Sequence, residues 1–447
     1  MKKTDSIKLS DHFSYKKLLR YTFPSIIMMI FTSIYGVVDG VFVSNFAGTT
    51  AFSAVNFIMP YIMILGTVGF IYGTGGSALV AKTFGENSPK KANELFSLMV
   101  YFAFFLGVVI TILGMIFVRP VAQALGAEGQ MLEDCVLYAL VVLIGQPAFV
   151  LQMLFQSFFV TAEKPQLGLI TTVCAGVVNM VLDALLVGVI PLGIVGAATA
   201  TVISQIVGAV IPIIYFARKN NSLLKLGKCR VDFKAIWKAT ANGSSEFMSS
   251  VSMSLVGMLY NVQLLSFAGE NGVAAYGVLM YVSMIFNGIF IGYSVGTAPV
   301  ISYHFGAQNQ GELKSLLKKS AVIILISSVL MTGFAELLSS PLSMLFSAGN
   351  TGLFELTKRG FFIYSFAFLF MGFAIYFSSF FTALNDGLTS ALISFLRTLV
   401  FQVAAVLILP MIMDTDGIWL SIVVAEFMAV VCSLIFLNIK KKKYGYM

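Results

Sequence analysis

The sequence predicts an all-α integral membrane protein of twelve transmembrane helices. They form two six-helix lobes related by a pseudo-two-fold axis along the membrane normal. Three observations carry this prediction. The chain is 58% apolar, only 11% charged and has a mean hydropathy of +0.92. A soluble chain of this size needs far more charge to cover its surface. Apolar runs near 20 residues, long enough for a bilayer, recur about twelve times. The second half also repeats the first at one offset: Asn45–Phe46–Ala47–Gly48–Thr49 returns as Ser266–Phe267–Ala268–Gly269–Glu270, and Thr83–Phe84–Gly85 as His304–Phe305–Gly306, both 221 residues later. Met63/Met284, Tyr72/Tyr293, Pro120/Pro341 and Gly196/Gly417 keep the same spacing.

The helices follow in order. A span at 21–44 leaves a basic N-terminal stretch; one at 52–82 is crowded with small residues (Gly66, Gly69, Gly73, Gly75, Gly76), which let helices approach closely. Spans at 93–118, 134–160, 166–188 and 191–216 complete the first six. The longest polar stretch, 217–237, is rich in Lys, Arg and Asn and joins the halves, so the lobes are expected at 1–225 and 226–447. The second six are 238–266, 272–303, 318–340, 358–384, 387–411 and 417–439. Short loops make successive helices antiparallel. Two copies of six enter the membrane from the same side, which gives an axis along the normal and not an inverted repeat. Gly73–Thr74–Gly75 is no dinucleotide fingerprint, because no strand precedes it.

Net charge is +8, but its placement argues against a nucleic-acid partner. With the N-terminus in the cytoplasm, 24 of the 28 Lys and Arg residues fall in cytoplasmic segments. External segments hold only Arg119, Lys358 and Arg359, and Arg397 lies inside a helix. This positive-inside bias puts both termini in the cytoplasm and the chain in a cytoplasmic membrane. The N-terminal stretch does not read as a cleavable signal, since it carries Asp5 and Asp11 and lacks a short apolar core before a small-residue site. Cys135, Cys174, Cys229 and Cys432 are scattered without a CxxC, which disfavours a disulfide framework or a cysteine metal site. His12 and His304 are expected to be solvated. No HExxH, GxSxG or Walker A pattern occurs, and the chain does not read as an enzyme.

Acids inside membrane spans are the sharpest functional signal. Asp39 lies in the outer part of helix 1, Asp183 in the outer part of helix 5, and Asn179 one turn before Asp183 on the same face. Helices 1 and 5 run in the same direction, so the three residues share a depth, and Thr201 of helix 6 reaches a similar one. Two carboxylates, an amide and a hydroxyl suit a small hard cation such as Na⁺. They equally suit a shared proton, because burial and a like charge both favour the neutral acid. The alternative is a structural cross-link. Hydrogen bonds between membrane helices contribute roughly 0.6–2 kcal/mol, whereas a buried charge costs at least about 2.5–3.5 kcal/mol. That imbalance favours function. The second half lacks this set: Asp39 faces Tyr260, Asn179 faces Val400 and Asp183 faces Ala404. It has Glu246 in helix 7, Arg397 in helix 11 and Glu426 in helix 12, and a Glu246–Arg397 ion pair is expected, as staple or gate.

These residues resemble a family, the multidrug and toxic compound extrusion (MATE) transporters. The carriers are Pro24–Ser25–Ile26 with Val37–Val38–Asp39–Gly40–Val41–Phe42, then Asn179–Met180–Val181–Leu182–Asp183, and Asn242–Gly243–Ser244–Ser245–Glu246 with Ser302–Tyr303–His304–Phe305–Gly306. The second is similar to the ion-site helix of the DNA-damage-inducible-type branch, the third to bacterial members near the staphylococcal multidrug export type. The resemblance implies two lobes in a V, alternating access, and export of organic, often cationic compounds against inward H⁺ or Na⁺. It implies coupling positions at Asp39, Asn179, Asp183 and Thr201, and a bend at Pro24. It implies no cofactor beyond the coupling ion. Expected partners are a small organic substrate and membrane lipids, with no nucleic acid, and the chain is expected to act as a monomer. A flippase for a lipid-linked sugar of the same superfamily is the alternative. Its cavity would need several cations for a pyrophosphate, and Arg397 is the one clear intramembrane cation.

Overall fold

The computed structural model describes residues 7–446 except 44, 45, 47, 48, 348 and 349, and not the side chains of residues 37, 41, 49, 50, 52 and 345–347. Among the described residues it is built from helices joined by short turns, with no strand. We number the membrane helices α1 to α12. The first lobe holds α1 (Tyr15–Phe42), α2 (49–85), α3 (Pro89–Ala124), α4 (Gly129–Thr161), α5 (Pro165–Val189) and α6 (Gly193–Ala217). A single hydrogen-bonded run, Phe233–Gly306, contains two helices of the second lobe. It is broken at Gly269, whose φ of 63° and ψ of −159° no helix adopts. This gives α7 (233–268) and α8 (270–306). Then come α9 (Gln310–Ser347), α10 (Thr351–Ala383) and α11 (387–413). Asp414 (φ 48°) turns the chain into α12 (415–444). Gly269 belongs to the repeated Phe–Ala–Gly segment, so the repeat marks the turn between two helices. Its first-half counterparts Asn45, Ala47 and Gly48 lie outside the described residues.

Local chemistry sets the helix ends. Ser14 Oγ accepts from Lys17 N at the start of α1, and Asp232 accepts from the Lys234 and Ala235 amides at the start of α7. Pro89 and Pro165 open α3 and α5, where a missing N–H costs nothing. The linker 218–232 lies on the first lobe: Asn93 Nδ2 donates to Leu223 O (3.2 Å), Lys225 N donates to Asn93 Oδ1 (2.6 Å), and Leu224 is fully buried.

The lobes meet in one half of the bundle, at the end that carries both termini. There α1 packs on α8 and the later part of α2 packs on α7 and α8. The contacts obey the sequence repeat. A Cβ on Gly85 would sit 2.0 Å from Tyr303 O, and one on Gly306 would sit 2.0 Å from Lys82 O. Gly85 and Gly306 are repeat mates, as are Lys82 and Tyr303. The pseudo-two-fold axis therefore passes between these two backbones, and only glycine permits the approach. Tyr72 Oη and Thr240 Oγ1 (2.7 Å), and Asn385 Nδ2 donating to Ala78 O (3.5 Å), add polar ties. The cross-lobe tie furthest from the termini is Ser33 Oγ donating to Met284 O (3.4 Å); among the described residues no hydrogen bond joins the lobes beyond it.

Residues 7–14 lie across this seam as a strap. Leu9 and Phe13 are fully buried. Leu9 N donates to Glu163 Oε1 of the first lobe (2.6 Å), while Phe13 N donates to Glu312 Oε1 of the second (2.9 Å). His12 Nδ1 meets Glu312 Oε2 at 2.6 Å, and Lys319 Nζ donates to Phe13 O. His304, expected to be solvated, is only 3% exposed, because it sits at the end of α8 within the closed seam. His12 has a 73% exposed side chain, as expected, yet it is engaged with Glu312.

Candidate functional site

The candidate site lies in the first lobe, in the half away from the termini. It starts from a close helix contact. Gly176 of α5 faces Phe31 of α1 so tightly that a Cβ would lie 2.4 Å from the ring. Two turns further along these parallel helices stand Asp183 and Asp39. Their carboxyl groups are close enough to act on each other. A hydrogen bond between them would need one proton, since two carboxylates offer only acceptors.

Asp183 is 0% exposed and Asn179 2%, one turn apart on the face of α5 that α1 covers. Both Asp183 carboxyl oxygens, Asp39 Oδ1 and Asn179 Oδ1 are buried, and among the described residues none accepts from an N–H or O–H donor. Buried acceptors of this kind are normally satisfied, and each orphan costs free energy. Four in one place make a cradle of oxygens, suited to protons or a small hard cation. Asp183 also ends the regular part of α5: residues Ala184–Val189 form a π-helical turn, a local widening often found where a helix carries function.

Thr201 joins the group. It stands beside the hydroxyl of Tyr138, a fully buried α4 residue close to both aspartates. Tyr35 of α1 adds a second phenol near Asp39. Sequence reasoning missed Tyr138 and Tyr35, because tyrosine near a membrane interface is ordinary. Of the expected residues, Asp39, Asn179 and Asp183 thus lie together, with Thr201 beside their neighbour Tyr138. Pro24 does not join them. It lies near the other end of α1, buried where Ser25 and Ile26 touch Gly292 of α8. There it removes one backbone donor from the helix at the lobe seam.

The second lobe corrects the sequence expectation. Arg397 does not pair with Glu246. Its Nε donates to both oxygens of Glu426 (3.0 and 2.8 Å), with the Glu426 side chain 1% exposed. Arg397 lies in another π-helical turn, Leu396–Val400, and its hairpin neighbour α12 supplies the acid. Glu246 forms no ion pair among the described residues. Around the Arg397–Glu426 pair, Tyr260 and Tyr276 stack with centroids 5.3 Å apart, and Tyr364 Oη meets Ser283 Oγ at 3.0 Å. The lobe thus places a neutral phenol, Tyr260, at the repeat position of Asp39. Gln146, Gln152, Gln156 and Gln205 are buried inside the first lobe, with Gln146 Nε2 donating to Ile62 O (3.3 Å).

The sequence model of the family described as MatE matches twice, over residues 24–185 and 247–408. The chain belongs to the MatE family. The two matches coincide with the two halves of the internal repeat, and this is a multi-pass membrane protein. Among MatE relatives, Multidrug export protein MepA of Staphylococcus saprophyticus is 25% identical over 313 residues, 70% of this chain and 69% of that protein. A crystal structure of MATE in complex with MaL6 superposes with a TM-score of 0.93 at 21% identity, over 99% of this chain and 100% of that one. An outward-facing conformation of a multidrug resistance MATE family transporter of the MOP superfamily gives 0.93 at 22% identity, over 100% of both chains.

Proposed function

We propose that this chain is a secondary active exporter of drug-like organic compounds, often cationic and amphipathic, driven by inward H⁺ or Na⁺. The observation that carries this reading is the oxygen cradle of Asp39, Asn179 and Asp183, buried and without donors. Two adjacent carboxyls away from water do not both stay bare anions; a shared proton or a bound cation relieves them. Occupancy therefore changes the charge at the junction of α1 and α5. Because α1 also forms the lobe seam through Thr22, Ser25 and Ile26, the same helix reports that charge to the closure. Alternating access needs such a link, since an ion moves an equilibrium only by binding one state better.

Orientation follows from charge. The end with both termini and the basic 218–232 linker faces the cytoplasm by the positive-inside rule. The closed seam is then the cytoplasmic gate, and this conformation is outward-facing. The name of the staphylococcal relative supports a drug substrate. A lipid-linked pyrophosphate is not favoured, because the interior guanidinium of Arg397 is already engaged by Glu426.

Purified protein in proteoliposomes with a fluorescent lipophilic cation tests the reading. A pH gradient alone and a Na⁺ gradient alone are applied in turn. One of the two drives dye against its gradient and thereby names the ion. No uphill movement under either would remove the proposal.

A further inference from the structure

At the cytoplasmic end of α5 and α6 lies a groove of about 690 Å³ whose chemistry changes along its length. One wall is aliphatic: Leu167 of α5 with Ile211 and Ile214 of α6, the latter two 39% and 44% exposed. The rim is cationic: Lys164 just before α5, and Arg218 and Lys219 just after α6. Asn220 shapes the rim, its Nδ2 donating to Tyr215 O (3.1 Å) and Arg218 O (3.2 Å), which turns the chain at the helix end.

None of the three cations has an ion-pair partner among the described residues. Lys90, Lys91 and Lys314 are likewise without an ion pair among the described residues, so the aliphatic wall beside these three cations is what sets the groove apart. The groove sits at the start of the apolar span of α5 (Pro165–Val189) and the end of that of α6 (Gly193–Ala217), which by length and composition is the headgroup level, and on the orientation proposed above it faces the cytoplasm. An apolar strip on the membrane side under three unpaired cations matches the two parts of one kind of molecule. We propose that this groove binds an anionic glycerophospholipid of the cytoplasmic leaflet, its phosphate held by Lys164, Arg218 and Lys219 and an acyl chain laid on Leu167, Ile211 and Ile214.

Charge decides between lipids. A zwitterionic headgroup brings an ammonium against three cations, whereas an anionic one does not. A free phosphate gains nothing from the aliphatic wall and is screened by salt in an open groove. The bound lipid ties the start of α5 to the end of α6, two helices whose other halves carry Asn179, Asp183 and Thr201.

The test uses the full chain, delipidated in detergent, with native mass spectrometry and thermal unfolding as readouts. Phosphatidylglycerol, phosphatidylcholine and glycerol phosphate are added separately. The expected result is saturable retention of phosphatidylglycerol with a raised Tm, and no effect of the other two. The variant Lys164→Gln/Arg218→Gln/Lys219→Gln is expected to lose about tenfold or more in apparent affinity. The control Lys90→Gln/Lys91→Gln/Lys314→Gln removes the same charge from the same side and is expected to keep it. Should the first triple variant not fold, Ile214→Glu places a negative charge on the aliphatic wall and is expected to give the same loss. Equal losses in both triple variants would mean general surface charge, and an equal effect of phosphatidylcholine or glycerol phosphate would mean no anionic-lipid site. Any of these results overturns the proposal.

Discussion

Asp183 has two carboxylate oxygens buried without a donor, and no other acid among the described residues is placed so. Its neighbours explain why the chain tolerates it: Asp39 across the α1–α5 contact, Asn179 one turn away, and the phenol of Tyr138. At this scale, Asp183→Asn is expected to remove the need for a proton or cation and to raise the melting temperature in detergent while lowering coupled export. A fall in both stability and export would instead assign Asp183 a structural role. The second lobe gives a contrasting case. Removing one partner of a buried ion pair typically costs about 3–5 kcal/mol, because the other charge is stranded. Arg397→Met and Glu426→Gln are each expected to show such a loss, and the double variant less than their sum. Glu246→Gln combined with Arg397→Met is expected to be additive in the same unfolding measurement. Asp39, Asn179, Asp183 and Thr201 were legible in the sequence because helix direction fixes depth and the i, i+4 spacing fixes a face. The partner of Arg397 was not. The π-helical turn around it leaves no mark in residue type, and depth alone does not separate Glu246 from Glu426.

At the scale of elements, the repeat and the turns agree. The Phe–Ala–Gly segment was legible as a copy, and in the second lobe it is the α7–α8 turn. Apolar length and polar punctuation placed the twelve helices, since a bilayer demands both. The strap of residues 7–14 was not legible. Three of its four holding contacts use a backbone group of the strap, the amides of Leu9 and Phe13 and the carbonyl of Phe13, and backbone groups are the same in every sequence. The strap bridges both lobes, so it must release at least one of them for the seam to open. Leu9→Asp, which puts a charge at a fully buried position, is expected to favour the inward-open state. The observable is the distance between spin labels at the exposed positions Lys90 and Gly311, which lie on opposite lobes. Gly85→Ala is expected to act in the same direction, because its Cβ would meet the backbone of Tyr303 and not a side chain that can turn away. Unchanged label distances in both variants would show that neither contact holds the closed gate.

Across the whole molecule, symmetry of fold is combined with asymmetry of chemistry. The same pseudo-two-fold axis relates Gly85 to Gly306 at the seam, yet Asp39 has Tyr260 as its mate. One lobe carries two buried acids with no ion-pair partner among the described residues; the other carries a guanidinium matched to an acid. In the proposed mechanism, coupling belongs to the first lobe and the second moves with it. The most direct measurement compares wild-type protein and Asp39→Asn, incorporated equally in proteoliposomes and with equal unfolding temperatures confirmed beforehand. Each is given the gradient that drives the wild type, and uphill movement of a fluorescent cation is followed. The account predicts that the wild type concentrates the dye and that Asp39→Asn does not, because an amide keeps the shape but cannot exchange a charge with the coupling ion. Uphill transport by Asp39→Asn at the wild-type rate would contradict it.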